Sequence, residues 1–424
     1  MFATKRPGLL VSATRLLAKR PAPYGRCCIS ISAGDFPTNG LNDAHPKAPS
    51  AATQPQKGSL NAHGDSSTTI PFAVASSPHD MSVMKWSPEF AVPKNIGRFS
   101  SLPEKFLSKI PKISPNLEKQ FKLTATPALM FRQSTAELIS IVEKEADKEF
   151  CTTALVVEGN RGTGKSAAFL QTVSHCHSKG WIIIPVPRLS EWMSGIEPYE
   201  MSLSRSKYLQ PELTQKFISL LLEWNESALS KIPLREGSSE SVADIARLAA
   251  EGDPESSFAI LEEIMTRIFT AKNRNPVLLA IDQFNALYRR TAYFDTKSHP
   301  LTTDRFALPS MIQKIVYELG QTAETPILRP IDIDISSRDD YAVVLPSFLD
   351  PTQADPFSKK FKLHPKHMSK FEMPSYSVSE LSSVLDFYYQ HNVFYGDMTE
   401  SAAAKRWMLT QGNPLEVLKT CIAL

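Results

Sequence analysis

The stretch Gly159-Asn160-Arg161-Gly162-Thr163-Gly164-Lys165-Ser166 decides the fold. It fits G-x-x-x-x-G-K-[S/T], the phosphate-cradling loop that joins a strand to a helix. The spacing has a physical reason. Three glycines let the backbone curl until successive N–H groups point inward at a phosphate chain. Lys165 adds a point charge for the β and γ phosphates. Ser166 offers a hydroxyl to Mg²⁺ at the start of a helix, whose unpaired N–H groups favour anions. The flanks agree: residues 154–157 are a short apolar run of β type, and 167–177 continue as a helix.

A loop of this kind predicts a second element, a strand ending in a carboxylate that helps hold Mg²⁺. Val277-Leu278-Leu279-Ala280-Ile281-Asp282 supplies it, after the breaker Asn275-Pro276. An unbroken apolar run suits a parallel strand buried on both faces. The following residue carries the most functional weight. Many ATPases of this build place Glu there to activate the attacking water; here Gln283 stands in its place. A neutral amide orients water but is a far poorer base. The D-x-x-G switch of signalling GTPases is missing, since 282–285 read Asp-Gln-Phe-Asn, and no N-K-x-D guanine-reading box occurs. These residues imply a nucleotide held well and hydrolysed slowly or not at all. A bound nucleotide stabilises a fold by mass action without any chemistry.

Further strands are expected at 181–186, 341–345 and 371–373, and helices at about 211–231, 254–273 and 308–320. Strands alternating with helices imply a parallel sheet with right-handed crossovers and ligand at the strand carboxyl ends. Ser347 follows the fourth strand, where such folds carry a polar sensor; a turn serine after Pro346 is the other reading. The chain ends in helices at 377–392, 402–409 and 414–424. The first opens with Ser377-Val378-Ser379-Glu380, an N-cap pattern, and Gly412-Asn413-Pro414 splits the last two. The fold class is therefore α/β: a P-loop NTPase of AAA+-like build over 134–375, with a helical lid over 376–424.

Composition bounds the rest. The 424 residues are 42% hydrophobic and 21% charged, which excludes a wholly disordered chain. Five cysteines with no C-x-x-C pair exclude a disulfide scaffold and argue against zinc. No apolar run approaches membrane-spanning length. Residues 1–34 hold six cations (Lys5, Arg6, Arg15, Lys19, Arg20, Arg26) and no acid, which leaves 41 basic and 44 acidic residues in the remainder. Any nucleic-acid contact is therefore local. That amino-terminal segment reads as a mitochondrial transit peptide, cut between about Arg20 and Asp35; the plainer reading is a disordered basic tail. Residues 35–80, poor in large apolar side chains, read as a disordered linker.

Residues 81–133 differ. Trp86, Phe90, Phe99, Phe106, Phe121 and Phe131 interleave with nine cations against three acids, and six prolines forbid long helices. Lys105, Lys109, Lys112, Lys119 and Lys122 are candidate RNA contacts on an extended arm, with aromatics as anchors. The alternative is an arm that wraps its own domain. Lys359, Lys360, Lys362 and Lys366 lie in an acid-free stretch at 359–370, suited to an RNA backbone or simply a solvated loop.

The combination resembles the mitochondrial small-subunit ribosomal proteins of the death-associated protein three family, in a fungal-type form. The matching pieces are Pro127-Ala128-Leu129-Met130-Phe131-Arg132, the P-loop, Tyr208-Leu209-Gln210-Pro211, the box 281–288 (Ile-Asp-Gln-Phe-Asn-Ala-Leu-Tyr) and Gly412-Asn413-Pro414. The resemblance runs from about Lys105 to Leu424. It implies an AAA+-like domain in the head of the small mitoribosomal subunit, in the mitochondrial matrix, with GTP or GDP bound. ATP is not excluded by the residues. It also implies ribosomal RNA and small-subunit proteins as neighbours, bridging contacts to the large subunit, no membrane span and no homo-oligomer. Carried onto this chain, Gly159 to Ser166 hold phosphates, Asp282 and Ser166 hold Mg²⁺, and Gln283 lies beside them. Two other readings compete: an active mitochondrial ATPase or GTPase switch, which the intact loop and Asp282 favour, and a P-loop kinase acting on a small molecule.

Overall fold

The computed structural model describes residues 83–146, 154–235, 237–271, 275–288, 290–319, 341–346, 368–396 and 398–422. The segments 1–34 and 35–80, Ser347, and Lys359, Lys360, Lys362 and Lys366 lie outside them.

Five parallel strands form the central sheet: β1 (Ala154–Glu158), β2 (Ile182–Val186), β3 (Val277–Ile281), β4 (Tyr341–Pro346) and β5 (Met368–Glu372). Their order is β5-β1-β4-β3-β2, so β4 is inserted between the strand that feeds the P-loop and the strand that ends at Asp282. The apolar runs of β2 and β3 are buried throughout. Alternate residues serve opposite layers, as the strand period of two requires. Leu155, Val157, Ile183, Leu278 and Ala280 pack with the helices Gln133–Ala146 and Lys165–Ser178. Val156, Ile182, Ile184, Leu279 and Ile281 pack with Pro211–Leu229, Val242–Glu251, Ser257–Thr270 and Ala307–Leu319. The helix Val242–Glu251 was not among the expected elements. It opens on a capping box between Ser241 and Asp244, and its alanines bury against the neighbouring helices.

Residues 83–132 correct the expectation of an extended arm. They form a folded strap. Three short strands (Met84–Lys85, Phe99–Ser101 and Ala128–Met130) pair side by side, and Pro115–Thr124 is a ten-residue helix. The prolines do forbid long helices, but Pro88, Pro93 and Pro115 also start short ones, where a missing N–H costs nothing. Trp86, Phe90, Phe106 and Phe131 are buried in the same core as the P-loop helix. Burial of rings this large outweighs whatever a surface arm offers them.

The final helices, Val378–Gln390, Glu400–Thr410 and Pro414–Ile422, close a third apolar cluster with Phe99, Ala128 and Met130 of the strap. Phe99 stacks on Phe387 at 3.9 Å. The capping box of Ser377 and Glu380 is complete.

Candidate functional site

The loop 159–164 leaves β1 and turns into the helix Lys165–Ser178. Gly159, Gly162 and Gly164 all have positive φ. At two of them space as well as conformation demands glycine. A Cβ on Gly159 would lie 2.9 Å from Met373 O, and one on Gly162 would lie 2.6 Å from Leu415 Cβ and Asn413 Oδ1. The loop is thus wedged between the end of β5 and the start of the last helix. Asn413 Nδ2 donates to Arg161 O at 2.9 Å, and Leu415 N donates to Gly162 O at 3.2 Å.

Lys165 is buried, and its Nζ donates to Gly159 O and Asn160 O, both at 2.6 Å. Burial pushes its pKa down to about 8, with Asp282 opposing. Thr163 Oγ1 donates to Asn160 O at 3.0 Å and steadies the curl. Ser166 Oγ donates to Asp282 Oδ2 at 3.3 Å. Burial pushes the Asp282 carboxyl up to about 6, against the pull of the Gln283 N–H and the Ser166 hydroxyl. A buried acid and a buried ammonium at one spot are each relieved by a ligand of opposite charge.

A cavity of about 340 Å³ opens on this loop. Its lining includes four cations, Arg132, Arg161, Lys165 and Arg188, and no carboxylate among the described residues. That donor set fits a polyanion. The lining also includes Asn116, Gln120, Tyr388 and Leu418, a mixed polar and apolar set able to receive a base. For Mg²⁺, Ser166 and Asp282 are two adjacent oxygen donors. Among the described residues no three His, Cys, Asp or Glu side chains group as a metal cluster. An ion here would take its remaining ligands from phosphate and water, the usual preference of Mg²⁺.

The structure therefore brings together Gly159, Asn160, Arg161, Gly162, Thr163, Gly164, Lys165, Ser166, Asp282 and Gln283. The strap lysines do not join them. Lys105, Lys112, Lys119 and Lys122 are exposed. Lys112 pairs with Glu191 at 3.1 Å, and Lys122 with Glu118 at 2.7 Å. Lys109 is half-buried beside His177, with 3.4 Å between Nζ and Nε2; it is held inward, unlike its neighbours.

Two arginines carry more than their sequence context suggests. Arg132, by composition one strap cation among nine, has its guanidinium fully engaged. Nη1 donates to Thr163 O at 3.1 Å, Nε and Nη2 grip Glu380 at 3.0 and 3.1 Å, and Nη2 also meets Pro374 O and Ser375 O, both at 2.9 Å. It bolts the P-loop to the final helices. Glu380 was visible as a cap, but its partner lies 248 residues away. Arg188, which no motif in the sequence marks, stands at the carboxyl end of β2 and lines the cavity. A general signal does point to it: ligands in parallel sheets gather at those strand ends.

Residues 129–420 match the sequence model of the family described as mitochondrial ribosomal death-associated protein 3. The chain is 22% identical over 356 residues to small ribosomal subunit protein mS29 of Neurospora crassa, covering 77% of this chain and 74% of the relative. It is 21% identical over 369 residues to the protein of that name from Schizosaccharomyces pombe, covering 80% and 73%. Among solved structures, the Aeropyrum pernix ORC2 protein in its ADPNP–ADP complexes superposes with a TM-score of 0.33 at 11% identity, covering 69% of this chain and 67% of that one. That superposition is too loose to argue from. No described helix is long and apolar enough to cross a membrane.

Proposed function

The chain belongs to the mitochondrial ribosomal death-associated protein 3 family, and from that premise we propose that its AAA+-like P-loop domain holds a purine nucleotide with Mg²⁺ as a lasting part of a small ribosomal subunit. The protein is mitochondrial, as its relatives are ribosomal proteins of that compartment. Its partners are ribosomal RNA and small-subunit proteins. We further read GTP or GDP as the ligand, contacts bridging to the large subunit, and a single copy in place of a homo-oligomer.

The observation that carries the nucleotide reading is the cavity wall: four cations, no carboxylate among the described residues, and a loop with no room for a Cβ at Gly159 or Gly162. Gly159 to Ser166 would hold the phosphates; Ser166 and Asp282 would hold the metal. A bound Mg²⁺ neutralises phosphate charge. The chain itself supplies position. The loop is clamped by Arg132 and Asn413 to helices that also line the cavity. A ligand seated there ties β1, β5, the strap and the final helices together, and it stabilises the whole by RT ln(1 + [L]/Kd). What supports storage over turnover is Gln283. Its side-chain oxygen accepts from the Ser190 hydroxyl, and an amide so held is no general base.

The test is to extract ligand from purified native protein and identify it by mass. About one purine nucleotide per chain is expected; material that is empty and indifferent to added nucleoside triphosphate overturns the reading. The active-switch alternative draws on the intact Ser166–Asp282 pair. A turnover near 1 s⁻¹ that disappears in Lys165→Ala would put it in first place. Failure to sediment with the small subunit at moderate salt would refute the ribosomal assignment.

A further inference from the structure

We propose that Arg188 and Gln283 form a subsite for the terminal phosphate of a nucleoside triphosphate, so that this site distinguishes triphosphate from diphosphate. The inference rests on the nucleotide reading above and adds to it a selectivity and the residues that impose it.

The loop and the start of its helix serve the phosphates that both nucleotides share. Whatever separates them must act one step further along the phosphate chain, near Lys165 and the Ser166–Asp282 pair. That place is the joint between the ends of β2 and β3. Asp282 N donates to Val186 O at 2.9 Å, and Leu189 N donates to Asp282 O at 3.2 Å. These two bonds set Arg188 beside Asp282 and Gln283, and both Arg188 and Gln283 line the cavity with Lys165 and Ser166.

Each is held so as to donate. Gln283 has φ 63°, a left-handed conformation uncommon for a residue with a side chain. Its backbone N–H donates to Asp282 Oδ1 at 2.9 Å. The Ser190 hydroxyl donates to its Oε1, so the acceptor end of the amide is taken. The two N–H groups of Nε2 are what the side chain has left to offer. Arg188 is tethered at one corner, Nη1 to Glu191 at 2.8 Å, and Glu191 also accepts from Lys112. The Nε of Arg188 is buried and has no hydrogen-bond partner among the described residues. Nε and Nη2 make the side edge of the guanidinium, the edge that fits two phosphoryl oxygens at once.

The other cavity arginines do not compete. Arg132 spends the same edge on Glu380. Arg161 sits on the exposed turn of the loop. Arg188 is thus a half-buried guanidinium whose Nε has no partner among the described residues, on the wall where a third phosphate would arrive. Because its tether Glu191 also accepts from Lys112, phosphate number reaches the strap through a single carboxylate.

The experiment uses the full-length chain stripped of nucleotide. Affinities for guanosine 5′-(β,γ-imido)triphosphate and GDP, each with Mg²⁺, are measured by competition, with the adenosine pair in parallel. The unaltered chain should prefer the triphosphate analogue. Arg188→Ala should weaken that analogue by about 10–100-fold, the worth of charge-assisted hydrogen bonds, and leave the diphosphate within about threefold. Gln283→Ala should do the same with about 2–10-fold. Arg188→Lys keeps the charge and a partner for Glu191 but lacks the fork, so it should also lose the preference. It serves as the folding-safe variant. Equal loss for both nucleotides, or no change in either, overturns the subsite. An unaltered chain that binds none of the four probes overturns the nucleotide reading itself, and the subsite with it.

Discussion

Two segments outside the central sheet reach the P-loop, and they are attached by different chemistry. The strap, 83–132, is held by buried rings: Trp86, Phe90 and Phe131 meet pairwise at 5.8 Å between ring centres. The final helices, 378–422, share an apolar cluster with the strap, but their hold on the loop itself is polar: Asn413 and Leu415 N donate to it directly, and Glu380 grips Arg132, the strap's last residue, which donates to Thr163 O. Apolar attachment is undirected and strong. Polar attachment is directional, and it fixes the position of the loop backbone. The strap should therefore govern whether the domain folds, and the final helices how well the loop is shaped.

The largest test removes a ring. Phe131 has no exposed surface, so Phe131→Ala should cost about 3–5 kcal/mol, read as a drop in urea midpoint with an unchanged slope. A cost below about 1 kcal/mol, the scale of a surface substitution, would mean that the rings are not the attachment. Next is the bolt. Arg132→Ala leaves Glu380 and three carbonyls without their donor and should cost about 3 kcal/mol. Its distinctive sign is local: amide exchange should quicken in 159–164 and 376–390 ahead of the strap. Uniform quickening would erase the distinction between the two segments.

Asn413→Ala is smaller. Asn413 caps the last helix, its Oδ1 accepting from Leu415 N at 3.0 Å, while its Nδ2 holds Arg161 O. The expected loss is about 1 kcal/mol, together with a measurable fall in nucleotide affinity. Loss of stability with affinity intact would make it a cap and nothing more.

How much of this could be read from the residues varies with range. The P-loop and Asp282 were legible because their chemistry is written in adjacent positions. The order of the sheet was not, since nothing local tells β4 to enter between β1 and β3. The strap was legible in content, but its direction stayed open between a surface arm and one wrapping its own domain: composition counts Phe106 and Lys105 alike, and only packing sends the ring inward. Arg132 looked like one cation of nine because its acceptor groups lie elsewhere in the chain. Arg188 was hidden by an ordinary context, Val-Pro-Arg-Leu; its meaning comes from the neighbouring strand.

A pH test then separates the segments again. His177 sits where strap meets sheet layer, its ring against Phe106 and Trp224. Burial, then the charge of Lys109, holds its pKa below the ordinary value. A histidine depressed in the fold contributes stability that is complete above its unfolded pKa of about 6.5 and is lost as pH falls through the folded value. Acid should therefore loosen the strap before the final helices. Lys109→Met raises the folded pKa toward normal and should shrink the loss between about pH 7 and pH 5; an unchanged acid limb would mean that another group titrates there.

The smallest effect on stability is the most informative about partners. Lys105, Lys112, Lys119 and Lys122 point to solvent, and the ion pairs of Lys112 and Lys122 are exposed. Such pairs contribute about 0–1 kcal/mol each. Changing all four to Gln should leave the urea midpoint of the isolated protein nearly unmoved, whereas removing one ring from the same segment should lower it steeply. If these lysines face RNA phosphates, ribosome attachment of the same variant should weaken, and its dependence on log salt should flatten by roughly 0.7–0.9 for each phosphate left unneutralised. Attachment that weakens equally at every salt would point to packed protein neighbours. The strap would then be apolar inward and protein-facing outward, and the RNA-binding surface would have to lie elsewhere on the chain.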